Sequence, residues 1–284
     1  MRNIRIIPRL DIKGPNLVKG IHLEGLRVLG KPEDFAKYYY EHGADELIFQ
    51  DVVASLYERN SLHEIISRTA KNMFIPLTVG GGLRSIDDIK QVLRAGADKV
   101  SLNTAVIRNP NFINEASLKF GSSTIVVAIE AIKQPDGRYF AFIDNGREET
   151  GVEVVGWAKK VEELGAGEIV ITSVDKEGTG EGFDLDLIKS VSGAVGIPVI
   201  AHGGASGTEN MTEAITFGHA DALAIASVFH YHIAEQLSIN NDSKGEGNTT
   251  FLKSGRSFGI IQTTSIKEVK DHLQKNGVSC RPIK

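Results

Sequence analysis

Ile75-Pro-Leu-Thr-Val-Gly-Gly-Gly-Leu-Arg84 reads as a short buried strand running straight into three glycines. Ile75, Leu77, Thr78 and Val79 supply the branched and apolar side chains a strand needs. Gly80, Gly81 and Gly82 strip the turn of Cβ atoms, so backbone N–H groups can approach an anion closely. The following segment, from Ser85 to Gly96, reads as a helix. Ser85 is its N-cap, Ile86, Ile89, Val92 and Leu93 form its apolar face, and Gly96 stops it. Strand, glycine turn, helix is the geometry of a phosphate cup. A single glycine turn after a strand has many uses, so the decisive point is whether the pattern recurs.

It does. Ile197-Pro-Val-Ile-Ala-His-Gly-Gly-Ala205 repeats it with Gly203 and Gly204. The similarity extends further. Glu46-Leu-Ile-Phe-Gln-Asp51 resembles Glu168-Ile-Val-Ile-Thr-Ser173, and the segment from Arg94 to Ala105 resembles that from Phe217 to Val228. Ile6-Ile-Pro-Arg-Leu-Asp11 stands opposite Ile125-Val-Val-Ala-Ile-Glu130. The offset holds at roughly 120 residues, far beyond solenoid periods. Two similar halves, about 1–121 and 122–284, imply a duplicated half-domain.

Strand candidates at 4–10, 46–51, 75–79, 99–102, 123–129, 168–173, 197–201 and 222–226 alternate with helix candidates at 32–42, 62–71, 86–95, 111–120, 152–164, 185–192, 211–217 and 266–275. The strands are nearly all apolar, as buried parallel strands are. Eight such units in 284 residues predict an α/β fold, a single (β/α)8 TIM barrel with a twofold half-barrel repeat. A doubly wound open sheet is the alternative. The 41% hydrophobic content suffices for a core, and the net charge of −4 offers no field for nucleic acid. One cysteine, Cys280, forms no internal disulfide, which fits a cytoplasmic protein. Neither a signal peptide nor a membrane-spanning run is expected.

Barrel chemistry sits where strands end. Asp11 closes strand one, with Lys13 and Lys19 following, and Asp51 closes strand two. Gly80–Gly82 follow strand three, Asn103 and Thr104 strand four, and Glu130 strand five. Ser173, Asp175, Glu177 and Gly178 follow strand six, Gly203 and Gly204 strand seven, and Ser227 strand eight. Strands three and four then make one anion seat and strands seven and eight its twin. Asp11 and Glu130 stand between them, the pairing that general acid–base work needs. A substrate with two phosphates is implied. His230 and His232 lack a third partner at metal spacing, so no metal is expected; His202 sits at the active face with either a substrate-facing or a local structural part. Trp157 reads as helix–barrel packing, and Asp144-Asn-Gly146 as the turn of a small hairpin.

These residues resemble a family, the cyclase subunit of imidazole glycerol phosphate synthase, the barrel half of a glutamine amidotransferase in histidine biosynthesis. The carriers are Leu10-Asp-Ile-Lys13 with Val18-Lys-Gly20, Asp45-Glu-Leu47, Thr78-Val-Gly-Gly-Gly82, Gly96-Ala-Asp-Lys-Val100 with Asn103-Thr104, and Gly165-Ala-Gly-Glu168. The resemblance implies a lyase acting on a bisphosphorylated ribulosyl aminoimidazole-carboxamide nucleotide, without cofactor, in a heterodimer whose glutaminase partner supplies ammonia. It makes Asp11 a catalytic acid–base and puts Lys19 on a mobile first loop. Gly82, Asn103 and Thr104 hold one phosphate, and Glu177, Gly178, Gly204 and Ser227 the other. Arg5, Glu46, Lys99 and Glu168 form a charged ring where ammonia enters, and Asp98 is a docking contact for the glutaminase.

Three features depart from the family. Glu130 stands where it has a second catalytic Asp, and Glu177 where it typically has Asp. A polar loop at about 233–263 has no family counterpart. The departures at the chemical end keep two other readings open. One is a paralogue that passes ammonia to a sugar amidotransferase in surface-polysaccharide biosynthesis. The other is the related aminoaldose–ketose isomerase, against which the charged ring and Lys19 argue.

Overall fold

The computed structural model describes residues 3–54, 62–240 and 261–283. Eight parallel strands close into a barrel: β1 (Arg5–Lys13), β4 (Leu47–Asp51), β5 (Leu77–Gly80), β6 (Lys99–Leu102), β7 (Ile125–Lys133), β10 (Glu168–Ser173), β11 (Val199–His202) and β12 (Ala222–Ile225). β7 pairs with β10 and β12 with β1, so the ring has no open edge. The fold is a (β/α)8 barrel. Its outer helices are α1 (Pro32–Glu41), α2 (His63–Ala70), α3 (Ile86–Ala95), α4 (Thr104–Arg108), α5 (Asn111–Phe120), α6 (Val154–Glu163), α7 (Leu185–Ser192), α8 (Thr208–Thr216), α9 (Ser227–Asn240) and α10 (Ile266–Lys275).

Period-two alternation sorts each strand between two cores. Ile6, Leu10 and Ile12 of β1 face the helices, where they join the main apolar cluster. Ile7 faces the lumen, in a separate layer with Ile48, Val126, Val170 and Ile200. Local signals hold the helices in register. Ser85 and Asp88 form a capping box at α3, and Gly96 ends that helix at φ 119°. Ser265 and Glu268 do the same for α10. Trp157 is buried on α6.

Three Ala-Asp pairs share one structural task. Asp45, Asp98 and Asp221 each accept a backbone N–H from a neighbouring strand, at Ile6, Leu77 and Val199, over 2.8 to 2.9 Å.

The first strand does not end where the sequence reading ends it. It runs on to Lys13 and turns into the hairpin β2 (Asn16–Ile21) and β3 (Glu24–Gly30). The expected mobile loop is therefore a hairpin, and Lys19 is buried in it at 3% exposure. Its turn, His22-Leu23, has both φ values positive, 52° and 62°. That conformation belongs to glycine, asparagine and aspartate by sequence rule, so nothing announced it. The second hairpin, β8 (Tyr139–Ile143) and β9 (Glu148–Glu153), turns through Asp144, Asn145 and Gly146, all left-handed. The polar stretch expected at 233–263 begins as helix, because Ile233 and Ala234 are buried and α9 runs through Asn240. The part from 241 to 260 lies outside the described residues.

Candidate functional site

The first seat is an open cavity of about 300 Å³ at the C-terminal ends of β4–β7. Gly82, Asn103 and Thr104 all line it. Gly81 and Gly82 take φ of 104° and 70°, and a Cβ on Gly81 would come within 2.4 Å of the Asp51 carbonyl oxygen. Only glycine fits there, which leaves backbone amides uncovered for an anion. Arg84 and Arg108 add cationic side chains to the wall. Arg108 Nη2 donates to Asp144 at 3.0 Å and to Glu148 at 3.2 Å.

The second seat gathers Glu177, Gly178, Gly204 and Ser227 around a hollow of only about 10 Å³. Gly203 and Gly204 take φ of 95° and 99°, like their counterparts. Ser227 starts the 14-residue α9, so the positive end of that helix points at the hollow. His202 is a further wall. Its Nδ1 lies 2.9 Å from the Ala224 carbonyl, which only accepts, so Nδ1 carries the proton. Burial and the Arg9 charge push the ring down to about 3, leaving it neutral. The hairpin β2–β3 roofs this seat. Lys19 Nζ pairs with Glu177 in full burial, the other Glu177 oxygen accepts from the Leu23 amide at 3.1 Å, and a Cβ on Gly178 would meet the Gly20 carbonyl at 2.4 Å.

Between the seats, Asp11 on β1 and Glu130 on β7 are four strands apart on either path around the ring and therefore oppose each other. Their surroundings drive them apart electrostatically. Burial by itself would raise the Asp11 carboxyl; the Arg9 and Lys19 charges outweigh it and hold the group below its ordinary range. Arg9 Nε donates to Asp11 Oδ1 at 3.0 Å. Burial pushes Glu130 up to about 7, against the opposing effect of Arg9 and a 2.8 Å hydrogen bond from the Gly146 amide. One carboxylate is thus a base at neutral pH, and the other is poised to give or take a proton.

A family model described as "Histidine biosynthesis protein" matches residues 5–235. The chain is 59% identical over 204 residues to the imidazole glycerol phosphate synthase subunit HisF of Legionella pneumophila, covering 72% of this chain and 96% of that protein. It is 49% identical over 246 residues to the HisF subunit of Methanocaldococcus jannaschii, covering 80% and 90%. The chain belongs to the HisF family.

At the opposite end of this HisF-family barrel four charges close a ring. Arg5 Nη1 bonds Glu46 at 2.7 Å and Glu168 at 2.8 Å, and Lys99 Nζ reaches the same two carboxylates at 3.2 Å. The aliphatic layer of Ile7, Ile48, Val126, Val170 and Ile200 lies directly above. Asp98 is exposed on the same rim. His230 is core rather than site, with Nδ1 2.5 Å from Tyr39 Oη.

Arg9, Arg84, Arg108 and Gln50 also line the first cavity and were passed over in the sequence. Arg9 had a legible signal. On β1 the inward parity runs Arg5, Ile7, Arg9, Asp11, so an arginine in that series has to meet the lumen.

Proposed function

We infer that this chain is the cyclase subunit of an imidazole glycerol phosphate synthase. It takes ammonia from a partner glutaminase and converts a bisphosphorylated ribulosyl aminoimidazole-carboxamide nucleotide into imidazole glycerol phosphate and AICAR, in the cytoplasm. One observation carries the reading: opposed Asp11 and Glu130 stand between two anion seats, in a chain that matches HisF subunits along most of both lengths. Ring formation with loss of a nucleotide requires protons to be moved on and off nitrogen and oxygen. Asp11 acts as the base, and Glu130, half protonated near neutrality, as the acid. The seat of Gly82, Asn103 and Thr104 takes one phosphate, and the seat of Glu177, Gly178, Gly204 and Ser227 the other.

At the floor, Arg5, Glu46, Lys99 and Glu168 serve as a gate. Their pairs offset one another's desolvation and part to admit ammonia. The aliphatic layer above suits neutral ammonia and rejects ammonium, whose charge is costly to bury. Asp98 lies on the rim where the glutaminase docks.

The test is turnover of the nucleotide by the isolated chain with ammonium chloride as nitrogen source. Wild type turns over, and Asp11→Asn loses about 10³-fold or more in kcat while binding the nucleotide normally, in line with a general base. Retained turnover in that variant would refute the role of Asp11. A wild type that binds the nucleotide but never converts it would fit a barrel that only conducts ammonia to a sugar amidotransferase.

A further inference from the structure

Arg9 is 3% exposed and stands one inward position above Ile7 and one below Asp11. Its guanidinium crosses the lumen. Nε donates to Asp11 on β1 and Nη1 donates to Thr172 Oγ1 on β10 at 3.4 Å. Among the described residues Nη2 has no acceptor, and Arg9 is part of the wall of the 300 Å³ cavity. A charged donor that faces an open cavity with no protein acceptor keeps its hydrogen bond for water or for a ligand atom that displaces the water, and hydrogen bonds from charged donors are the strong ones. Lysine, a point charge, would not need this arrangement; the planar fork fixes two partners and aims the third nitrogen.

Position says what would complete it. β1 lies between β12, which leads to the second seat, and β4–β6, which lead to the first. A ligand held by a phosphate at each seat has to pass its middle over Arg9. The phosphates are already provided for by the glycine turns, so the atom that reaches Nη2 belongs to the segment between them.

We propose that Arg9 is a substrate-binding residue that donates from Nη2 to an uncharged oxygen, a carbonyl or hydroxyl, in the central segment of the bisphosphorylated ligand, while its Nε holds Asp11 in place beneath that segment. This rests on the cyclase reading and adds to it a contact that distinguishes the ligand's middle from its ends.

The experiment compares two probes by calorimetry on the purified chain. One is the ribulosyl aminoimidazole-carboxamide nucleotide. The other is a series of straight-chain alkanediol bisphosphates of graded length, which carry both phosphates and no central oxygen. Arg9→Gln should weaken the nucleotide about tenfold or more, as loss of a hydrogen bond from a charged donor does, and move the alkanediol bisphosphates less than about twofold. Arg9→Lys should give an intermediate loss on the nucleotide alone, and it carries the comparison if Arg9→Gln does not fold by circular dichroism. Equal losses on both probes would make Arg9 a structural residue, and an unchanged nucleotide affinity would remove it from the site. Either result overturns the proposal. A wild type that binds the nucleotide without turning it over sinks the cyclase reading but leaves the Arg9 comparison readable. A wild type that binds neither probe sinks both.

Discussion

The seat beyond β5 and β6 encloses about 300 Å³, and the seat beyond β11 and β12 about 10 Å³. The glycines do not explain the contrast, because Gly81 and Gly82 share the left-handed backbone of Gly203 and Gly204. The hairpins do. Each seat is finished by the hairpin that follows the strand beside it, β7 next to β6 and β1 next to β12. β8–β9, after β7, walls the open seat at its side, through Asp144 on Thr104 and Arg108 and the Phe142 carbonyl on Asn103. β2–β3, after β1, lies across the other seat, through Lys19, Leu23 and Gly20. The two hairpins also meet, where Asn145 Nδ2 donates to the Leu23 carbonyl at 2.9 Å. A shared strand frame thus supplies two matching glycine-lined seats, and the hairpin after the neighbouring strand sets how accessible each one is.

The roof of the closed seat is where the comparison is most easily broken. Lys19 and Glu177 have side chains 2% and 1% exposed. Removing one partner of such a pair leaves a buried charge without compensation, which costs roughly 3–5 kcal/mol. Lys19→Met should lose about that much in urea unfolding. Lys19→Met combined with Glu177→Leu should recover most of it, since an apolar pair replaces the ionic one. A loss under about 1 kcal/mol in the single variant would mean that something other than this pair holds the hairpin down.

The two carboxylates sharpen the contrast at the level of protons. Asp11 is held ionised beside Arg9, whereas burial lifts Glu130 from its ordinary 4.5 to about 7. The folded chain therefore holds the Glu130 proton more tightly than the unfolded chain does. Its contribution to stability is complete below pH 4.5 and drains away as pH rises toward 7, by on the order of 3 kcal/mol. Glu130→Gln removes that slope. Urea unfolding of both proteins at either end of this window should show wild type losing ground to the variant as pH rises. Asp11 contributes nothing to the difference, because its depressed group stays ionised throughout. A difference that does not vary with pH would place Glu130 in contact with water and end its claim to be the acid.

How much of this was legible follows the physics of each feature. The barrel was readable because buried parallel strands are apolar and glycine turns announce themselves twice. Gly82, Asn103, Thr104, Gly178, Gly204 and Ser227 were readable as strand-end residues, and the structure brings them to their two seats. The roof was not readable. His22 and Leu23 adopt a turn their side chains do not favour, and it is the distant Glu177, through its side chain and its own carbonyl, that holds them there. Arg9 was readable by parity but sat between Pro8 and Leu10 in a strand read only for its two ends, Arg5 and Asp11. Arg84 and Arg108 lie on loop and short helix, where a lone arginine carries no spacing signal.

Arg108 gives the smallest expected effect and isolates the open seat. Its side chain is 58% exposed and shares Asp144 and Glu148 with solvent. Exposed pairs of this kind contribute under about 1 kcal/mol, so Arg108→Ala should barely move urea unfolding. Binding is another matter, because the same guanidinium lines the cavity and no roof separates it from an incoming anion. The affinity of the chain for inorganic phosphate should fall a few-fold in dilute buffer. That loss should fade in about 1 M salt, where the screening length is about 3 Å. Lys176, which pairs with Glu181 beside the roofed seat, serves as the matched control. Lys176→Ala should leave phosphate binding where it was. If instead the two substitutions weaken phosphate equally, the anion samples both seats alike, and the hairpin over the second one does not restrict entry.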